Sequence, residues 1–358
     1  MQTPNRTLIV GAGLSGILMA WELEKRGIDY EVWQSPDSSL NSASRVAAGM
    51  FNPVSFKRLV SVWNAVEHME IMRKTYLELE EFLNLQGAIL HSSPILRVFP
   101  NAQYRDLWAK RLDDAHEVSI WLNEIDGVVD VGKEGPEEII APFGFGIVRD
   151  AGWVDLPLLL NSFNSHLQSK GRFFANDWSF NTQPNDTFNR IIDCRGVGAS
   201  SDLASVGIKV QADHGEVLTL RSRLDTKGMC INRVKWLLPR GDSVFKLGAT
   251  YKWNIEQSAP TDEGRTELLS SIRPIISPEV FDEFEVINHE SGLRPASTDR
   301  RPYAGPVPGN DGLFILNGLG TRGVLVGPAT AAHLANHMFD GTPLPQDVSL
   351  ARLKSLRD

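Results

Sequence analysis

The chain has 358 residues, 42% of them hydrophobic, which is enough for a substantial core and suggests about two domains. The formal net charge of -8 disfavours nucleic acid as a partner, and the two distant cysteines, Cys194 and Cys230, fit buried thiols in a reducing compartment better than a disulfide or metal site. No apolar run approaches the ~20 residues of a membrane span, and a core strand begins near the N-terminus. We therefore expect a soluble cytoplasmic protein.

The first predicted strand, residues 7–10, runs into a Gly-x-Gly-x-x-Gly turn formed by Gly11, Gly13 and Gly16, and a predicted helix over 17–25 follows. In this context the first glycine allows the tight turn, the second lets a pyrophosphate approach, and the third allows close packing of helix and strand. The helix N-terminus directs free N–H groups at the phosphates. The stretch predicts a dinucleotide site.

The second predicted strand, residues 29–33, ends at Gln34, where dinucleotide-binding proteins carry an acid that binds the adenosine ribose. Gln34 can still bond a hydroxyl group, but without charge each bond is weaker. No Arg or Lys follows closely, so a 2′-phosphate is not specifically favoured.

A loop of small residues follows, over 41–53, and a helix is predicted over 66–85. Asp155 is a plausible cap for a predicted helix over 156–169, and strands are predicted over 94–99, 127–148, 171–175 and 190–193. The pattern over 234–239 and 244–251 predicts an antiparallel hairpin, and further helices are predicted over 260–276 and 329–338.

The loop over 44–49 resembles the Ser-x-x-Ala-Ala-Gly loop of the D-amino-acid-oxidase/glycine-oxidase superfamily of flavoproteins. Weaker matches occur at 152–155, 193–196, 214–218 and 245–251. The most specific stretch, 291–305, resembles the Gly-Leu-Arg-Pro motif of that family. Residues 318–323 read Gly-x-x-x-Arg-Gly, which is similar to the flavin domain of the bifunctional tRNA wobble-uridine-modifying enzyme. The resemblance covers most of the chain and is weak over about 90–146.

The resemblance implies an α/β fold: a Rossmann-like FAD-binding domain of the glutathione-reductase-2 type, with an inserted α+β substrate domain built on an antiparallel sheet. It assigns residues 1–88, 152–207 and 290–358 to the FAD-binding domain, and residues 89–151 and 208–289 to the substrate domain.

The same resemblance implies FAD, and further glycine loops that one nicotinamide site would not need support it. Because no flavin-linking His or Cys has an obvious counterpart, we expect noncovalent FAD. Arg195 replaces the family's usual Thr and is expected to reach the pyrophosphate. The candidate cofactor-binding residues are Gly11, Ala12, Gly13, Leu14, Ser15, Gly16, Gln34, Ser44, Arg45, Ala47, Ala48, Gly49, Met50, Phe174, Cys194, Arg195, Gly196, Arg294, Gly320, Thr321, Arg322, Gly323 and Val324.

Arg294, Tyr251 and Lys246 are the candidate catalytic residues. Arg294 is chosen for a substrate carboxylate because its planar fork matches that group, the alternative being an arginine that binds backbone carbonyls. Tyr251 can add its hydroxyl to the same carboxylate or be a core or rim tyrosine. Arg322 can bind a second acidic group or neutralise the reduced flavin.

Lys246 precedes Leu-Gly, as does a lysine of sarcosine-oxidase relatives that lies near flavin N5 and would favour the reaction with oxygen. The alternative is a surface lysine at a strand end. Strand alternation puts Lys246 and Tyr251 on opposite faces, so both face the flavin only if the strand is bent or bulged.

Family members oxidise a C–N bond next to a carboxylate by passing hydride to flavin N5, which requires orientation more than a protein acid or base. We therefore expect oxidation of a small amino acid or N-substituted amino acid, with oxygen or an unknown acceptor. The alternatives are a dehydrogenase that passes electrons to a quinone or carrier, a flavin-binding protein without turnover, and an oxidase of a tRNA side-chain amine. No metal site is expected.

Overall fold

The structure is a computed structural model that describes residues 6–39, 42–114, 116–122, 136–182, 187–253 and 259–355. Within those ranges the strands are, in chain order, β1 (Arg6–Val10), β2 (Asp29–Trp33), β3 (Met50–Phe51), β4 (Val54–Ser55), β5 (Val60–Ser61), β6 (Leu90–Ser92), β7 (Ile95–Val98), β8 (Phe145–Val148), β9 (Gly152–Val154), β10 (Phe173–Phe174), β11 (Arg190–Asp193), β12 (Val210–Arg221), β13 (Cys230–Asn232), β14 (Trp236–Pro239), β15 (Val244–Gly248), β16 (Lys252–Trp253), β17 (Glu285–Ser297), β18 (Tyr303–Pro306) and β19 (Leu313–Asn317).

The α-helices of the same ranges are α1 (Leu14–Lys25), α2 (Ala43–Val46), α3 (Ala65–Phe82), α4 (Ala102–Asp113), α5 (Leu156–Ser169), α6 (Ser200–Ser205), α7 (Asp262–Ile272), α8 (Pro278–Phe281), α9 (Gly323–Asp340) and α10 (Arg352–Ser355). Most of the predicted elements are present with shifted ends. The predicted strand over 127–148 lies partly outside the described residues. Of its described part, 136–148, only β8 is a strand.

The first sheet has the order β10-β2-β1-β11-β19-β18, and all its pairs are parallel except β18 with β19. Ile9 and Ile192 point to the hydrophobic cluster that contains α1, α3, α5 and α9, whereas Leu8 and Ile191 point to a second cluster that contains α6. Apolar strands covered on both faces are typical of parallel sheets in α/β proteins. This Rossmann-like sheet confirms the predicted fold class.

The second sheet has the order β16-β12-β15-β14-β13-β7-β8, with β17 paired along β12. Most of its pairs are antiparallel, and β14 and β15 form the predicted hairpin. One face buries Leu218, Leu237 and Leu247 in a third cluster with α7. The opposite face is turned towards the first sheet, which places a cleft between the two sheets.

The strands of the first sheet lie in the ranges predicted for the FAD-binding domain, and those of the second lie in the substrate ranges, except for β17. This strand begins in the substrate range at Glu285 and ends in the cofactor range at Ser297. It therefore runs through a predicted domain boundary. The exact boundaries stay a prediction.

Helix α5 begins as predicted, because Asp155 Oδ1 accepts a hydrogen bond from the Leu158 N–H at 3.0 Å. Helix α9 begins at Gly323, six residues earlier than predicted, with Pro328 inside it. A proline there leaves the carbonyl of Val324, four residues before it, without its helical donor. The buried Tyr76 hydroxyl of α3 donates to this carbonyl at 3.1 Å, which allows the helix to continue through the proline.

Candidate functional site

A cavity of about 830 Å³ lies between the two sheets. Glycine-rich turns at the ends of β1, β11 and β19 line one side, and strands β12, β14, β15 and β17 line the other. Trp178 lies in the wall near the first group of turns, and Trp236 lies in the wall formed by the second sheet. Proteins with parallel sheets bind ligands at the carboxyl ends of the strands, and this cavity lies at that edge of the first sheet.

Most of the sequence-predicted site residues line this cavity. They are Gly11, Ala12, Gly13, Leu14, Ser15, Gln34, Ser44, Arg45, Ala47, Ala48, Gly49, Met50, Cys194, Arg195, Gly196, Tyr251, Arg294, Gly320, Thr321, Gly323 and Val324.

Four predicted residues are not among the described residues that line the cavity. Gly16 packs against Gly11, and Arg322 is the N-cap residue of α9. In place of Phe174, its neighbour Phe173 lines the cavity. Lys246 shares a strand face with Gly248, but its ammonium pairs with Glu290 Oε2 at 2.6 Å. This ion pair gives the Lys246 charge a partner outside the cavity wall.

The turn after β1 can be made only by glycine at two positions. Gly11 has φ of +104°, and a Cβ atom there would lie 2.7 Å from the Cys194 carbonyl oxygen. At Gly16 an added Cβ would lie 1.8 Å from the Gly11 carbonyl oxygen. Both distances are shorter than any tolerated contact, so these glycines let the backbone form the floor of the cavity.

Helices α1 and α9 both begin at residues that line the cavity, and neither has an acidic residue in its first turn. Helix α1 follows Gly13, and its Leu14 N–H donates to the Ser44 hydroxyl at 3.1 Å. Helix α9 begins at Gly323, which also lines the cavity. The positive ends of both helix dipoles are therefore directed at the cavity without a carboxylate to offset them, an arrangement that favours an anionic ligand.

Gln34 and Arg195 line the cavity, but the protein already uses their polar groups. Gln34 Oε1 accepts from the Ala12 N–H at 2.6 Å and so braces the glycine turn. The Arg195 guanidinium lies 2.7 Å from Asp193 and 2.8 Å from Asp202, and it donates to the Trp178 carbonyl. Burial alone would lower the pKa of Arg195, but the hydrogen bonds and charges of Asp193 and Asp202 raise it above its usual value. The guanidinium of Arg195 is thus held by two acids, and a contact with the pyrophosphate stays a prediction.

Residues 42–50, which include the short helix α2, form a segment that is clamped from two sides. Gly49 has φ of +72°, and an added Cβ would lie 1.9 Å from the Val154 carbonyl oxygen of β9. From the second sheet, Arg240 Nη1 donates to the Ala48 carbonyl at 3.3 Å and Nη2 lies 3.0 Å from Asp155. The Arg240 guanidinium also lies 3.4 Å from the centre of the Trp153 ring.

Arg240 was missed by the sequence analysis because its partners lie far from it in the chain. Lys235 was missed for the same reason: it lines the cavity, and its ammonium lies 2.7 Å from the Ala249 carbonyl and from Glu267. The hydrophobic pattern of the β14–β15 hairpin identified the strands, but it does not predict that the Lys235 side chain lines a cavity.

Arg294 is half-buried in the cavity wall, beside Gly215 of β12. A Cβ atom at Gly215 would lie 2.0 Å from Arg294 Nη2, so the glycine makes the space for the guanidinium. Arg294 Nη1 donates to the Thr250 carbonyl at 3.5 Å, and within the described ranges no carboxylate oxygen lies within 4.0 Å of the guanidinium. Burial lowers the pKa of Arg294, and the nearby Tyr251 and Asp213 act in the opposite direction without reversing the shift.

The Tyr251 ring lies in the same wall, 5.6 Å from Arg294 Cζ. Its hydroxyl donates to Asp213 Oδ2, a carboxylate that is 5% exposed. Burial, followed by the hydrogen bond to Asp213, raises the pKa of Tyr251 to about 12. The phenol therefore stays protonated at neutral pH, and its hydrogen is directed at Asp213.

No group of three or more His, Cys, Asp or Glu side chains suited to a metal ion occurs among the described residues. In the same part of the chain, none of the helices has the combined length and apolar character needed to cross a bilayer. The cytoplasmic location stays a prediction.

Comparison with known proteins agrees with the geometry. Residues 6–337 match the family model DAO, described as FAD dependent oxidoreductase. The chain is 24% identical to a glycine oxidase of Pseudomonas aeruginosa, over 95% of this chain and 96% of the relative. It is 22% identical to the tRNA 5-methylaminomethyl-2-thiouridine biosynthesis bifunctional protein MnmC of Marinobacter nauticus, over 92% of this chain but only 55% of that protein.

The fold is similar to the crystal structure of glycine oxidase from Bacillus cereus, with a TM-score of 0.79 and 20% identity over 94% of this chain and 98% of that one. The family match extends from β1 into α9 and so includes every turn that lines the cavity. The glycine turns and the two uncompensated helix N-termini fit a dinucleotide that carries a pyrophosphate. The chain therefore belongs to the FAD-dependent oxidoreductase family DAO, and its cofactor is FAD.

Proposed function

We propose that the protein oxidises the C–N bond of a small amino acid or N-substituted amino acid, with Arg294 binding the substrate carboxylate. The observation that carries this proposal is the Arg294 guanidinium, which is half-buried in the cavity wall without a carboxylate partner among the described residues. A planar guanidinium matches a carboxylate with two parallel hydrogen bonds. The similarity to glycine oxidases supports a substrate of this size.

When bound, FAD accepts the hydride that leaves the substrate carbon. The contribution of the protein is then to hold the substrate in one orientation, since positioning two reactants supplies several kcal/mol of the barrier reduction. Arg294 fixes the carboxylate end, and Trp236 and Tyr251 bound the space beside it.

The cofactor-binding residues named from the sequence that line the cavity are proposed to hold FAD noncovalently. The helix N-termini suit the pyrophosphate and the negative charge of the reduced flavin. For Gln34 and Arg195 we propose an indirect role, because Gln34 braces the glycine turn and Arg195 joins Asp193 to Asp202.

A panel of amines and hydroxy acids added anaerobically to the purified holoprotein tests the reaction. We expect glycine or an N-substituted glycine to bleach the visible flavin absorption. Bleaching by hydroxy acids alone, or by no amine that carries a carboxylate, would overturn the proposal.

Replacement of Arg294 tests its role. Loss of a charge-assisted contact worth about 1.5–3 kcal/mol should raise the substrate constant of Arg294→Ala about 10- to 150-fold while FAD stays bound. Arg294→Lys should restore only part of this, because the bidentate geometry is lost. Arg221→Ala is the matched control, since this arginine pairs with Glu285 on the exposed part of the same sheet. Normal saturation of Arg294→Ala by a carboxylate substrate would exclude the assignment.

A dehydrogenase is the second candidate. Lys246 is the residue expected to favour the reaction of the reduced flavin with oxygen, and its ammonium pairs instead with Glu290. Air reoxidation of the substrate-reduced protein, compared with reoxidation by a quinone analogue, separates the two. Fast air reoxidation indicates an oxidase, and fast reoxidation by the quinone alone indicates a dehydrogenase. A tRNA substrate is disfavoured, because a net charge of -8 opposes binding to a phosphate backbone.

A further inference from the structure

Asp213 is fixed where it can orient one hydroxyl of the cavity wall. It lies on β12, in register with Arg294 of β17 on one side and with Trp253 of β16 on the other. The Tyr251 hydroxyl donates the hydrogen bond between them, and Asp213 Oδ2 accepts it. Because both neighbouring strands hold Asp213, the direction of this hydrogen bond is built into the sheet.

A phenol has one hydrogen and retains acceptor capacity after donating it. With its hydrogen directed at Asp213, Tyr251 has only an oxygen lone pair to offer to a ligand in the cavity. A carboxylate cannot bond that lone pair, whereas an N–H group can. The side chain is 45% exposed and lines the cavity, so a ligand can reach it.

We propose that Tyr251, oriented by Asp213, accepts a hydrogen bond from the substrate nitrogen, so that the site selects amines with at least one N–H and discriminates against tertiary amines. This inference rests on the proposed function. In an amino acid one carbon separates the carboxylate from the nitrogen, and the Tyr251 ring centre lies 5.6 Å from Arg294 Cζ. The two side chains can therefore hold both ends of one small substrate. An amine that donates its N–H to Tyr251 keeps its lone pair for expelling hydride.

The first test compares N-methylglycine with methoxyacetate, in which an ether oxygen replaces the N–H. Binding is followed by the change in the visible flavin spectrum for methoxyacetate and by the saturation constant of anaerobic reduction for N-methylglycine. The wild-type protein should prefer the amine, and Tyr251→Phe should reduce this preference about 2- to 13-fold, the range expected for one net hydrogen bond. An unchanged preference in Tyr251→Phe would overturn the inference.

The second test changes the Tyr251 hydroxyl from an acceptor to a donor of hydrogen bonds towards the ligand. In Asp213→Ala the hydroxyl loses its acceptor and can rotate to donate to a carboxylate or an ether. We expect methoxyacetate to bind more tightly and N-methylglycine more weakly, and the gain for methoxyacetate should vanish when Tyr251→Phe is added. A merely structural role for Asp213 would weaken both ligands alike, and that result would overturn the inference.

The third test uses N,N-dimethylglycine, which has no N–H group when its amine is neutral. It should be oxidised less efficiently than N-methylglycine, and Tyr251→Phe should narrow the difference. Equal efficiency in the wild-type protein contradicts the inference. Failure of the proposed function gives a different pattern, because then no carboxylate changes the flavin spectrum in a manner that depends on Arg294.

Discussion

At the scale of single residues, Gly215 decides where the Arg294 guanidinium can lie. A methyl group added at Gly215 would lie 2.0 Å from Arg294 Nη2 and must displace it. We expect Gly215→Ala to raise the substrate constant about tenfold or more with little change in FAD affinity, since a displaced guanidinium loses its paired hydrogen bonds. Steady-state kinetics and a flavin titration measure the two effects.

Gly198→Ala is the control for this prediction. Gly198 also lines the cavity, but an added methyl group there meets Arg195 Cβ at an ordinary 3.6 Å. If Gly215→Ala and Gly198→Ala have the same kinetic constants, Gly215 does not position Arg294.

The sequence was most informative about residues whose structural role follows from local geometry. Gly11 and Gly16 belong to a strand–turn–helix pattern that is specific enough to predict the turn. The cap formed by Asp155 depends only on the first residues of its own helix. Lys246 and Arg195 were assigned from position in a motif. Their partners, Glu290 and Asp202, are distant or unremarkable in the sequence, so the ion pairs became visible only in the folded chain.

At the scale of elements, the Tyr76 hydroxyl lets α9 pass through Pro328. Tyr76→Phe removes the donor for the Val324 carbonyl and leaves a buried acceptor unsatisfied. This should lower the free energy of unfolding by about 1–3 kcal/mol, as measured by urea denaturation. Adding Pro328→Ala supplies a backbone N–H to the same carbonyl, so the two substitutions together should cost less than their sum. Strictly additive effects would show that the two groups do not share this carbonyl.

Helix and strand types were predictable because apolar spacing repeats within each element. The start of α9 was not, since a proline six residues into a helix is tolerated only through a tertiary contact that its own sequence does not reveal. The alternation rule for β15 was correct in placing Lys246 and Gly248 on one face. Tyr251 lies beyond the end of that strand at Gly248, so the rule does not extend to its side chain.

At the scale of the whole molecule, the described side chains that line the cavity between the two sheets include no evident group for covalent attachment of FAD. Among the described residues that line the cavity there is no histidine, and Cys194 is the one thiol. Burial, with the nearby Asp193 charge, raises the pKa of Cys194 well above its usual value, so the thiol stays neutral and unreactive. Acid or heat precipitation should release yellow FAD into the supernatant. Flavin that stays with the protein pellet would show a covalent link.

The division into two sheets followed from the order of motifs, but the course of β17 across a predicted domain boundary did not. This strand stays paired with β12 along its length and delivers Leu293, Arg294 and Pro295 to the cavity wall. The periodicity of a long strand does not tell which of its residues belong to which unit. Domain limits drawn from motif positions therefore divided an element that the fold keeps whole.

The two tryptophans in the cavity wall give the protein an intrinsic optical reporter. Trp178 lies beside the turns of the first sheet and Trp236 beside the substrate wall. Indole emission overlaps flavin absorption, so energy transfer should quench both when the holoprotein forms. The chain has nine tryptophans, so the contribution of each wall tryptophan is the difference between the quenching of the wild-type protein and that of Trp178→Phe or Trp236→Phe. Stopped-flow fluorescence of the three proteins would therefore follow FAD binding separately at Trp178 and at Trp236.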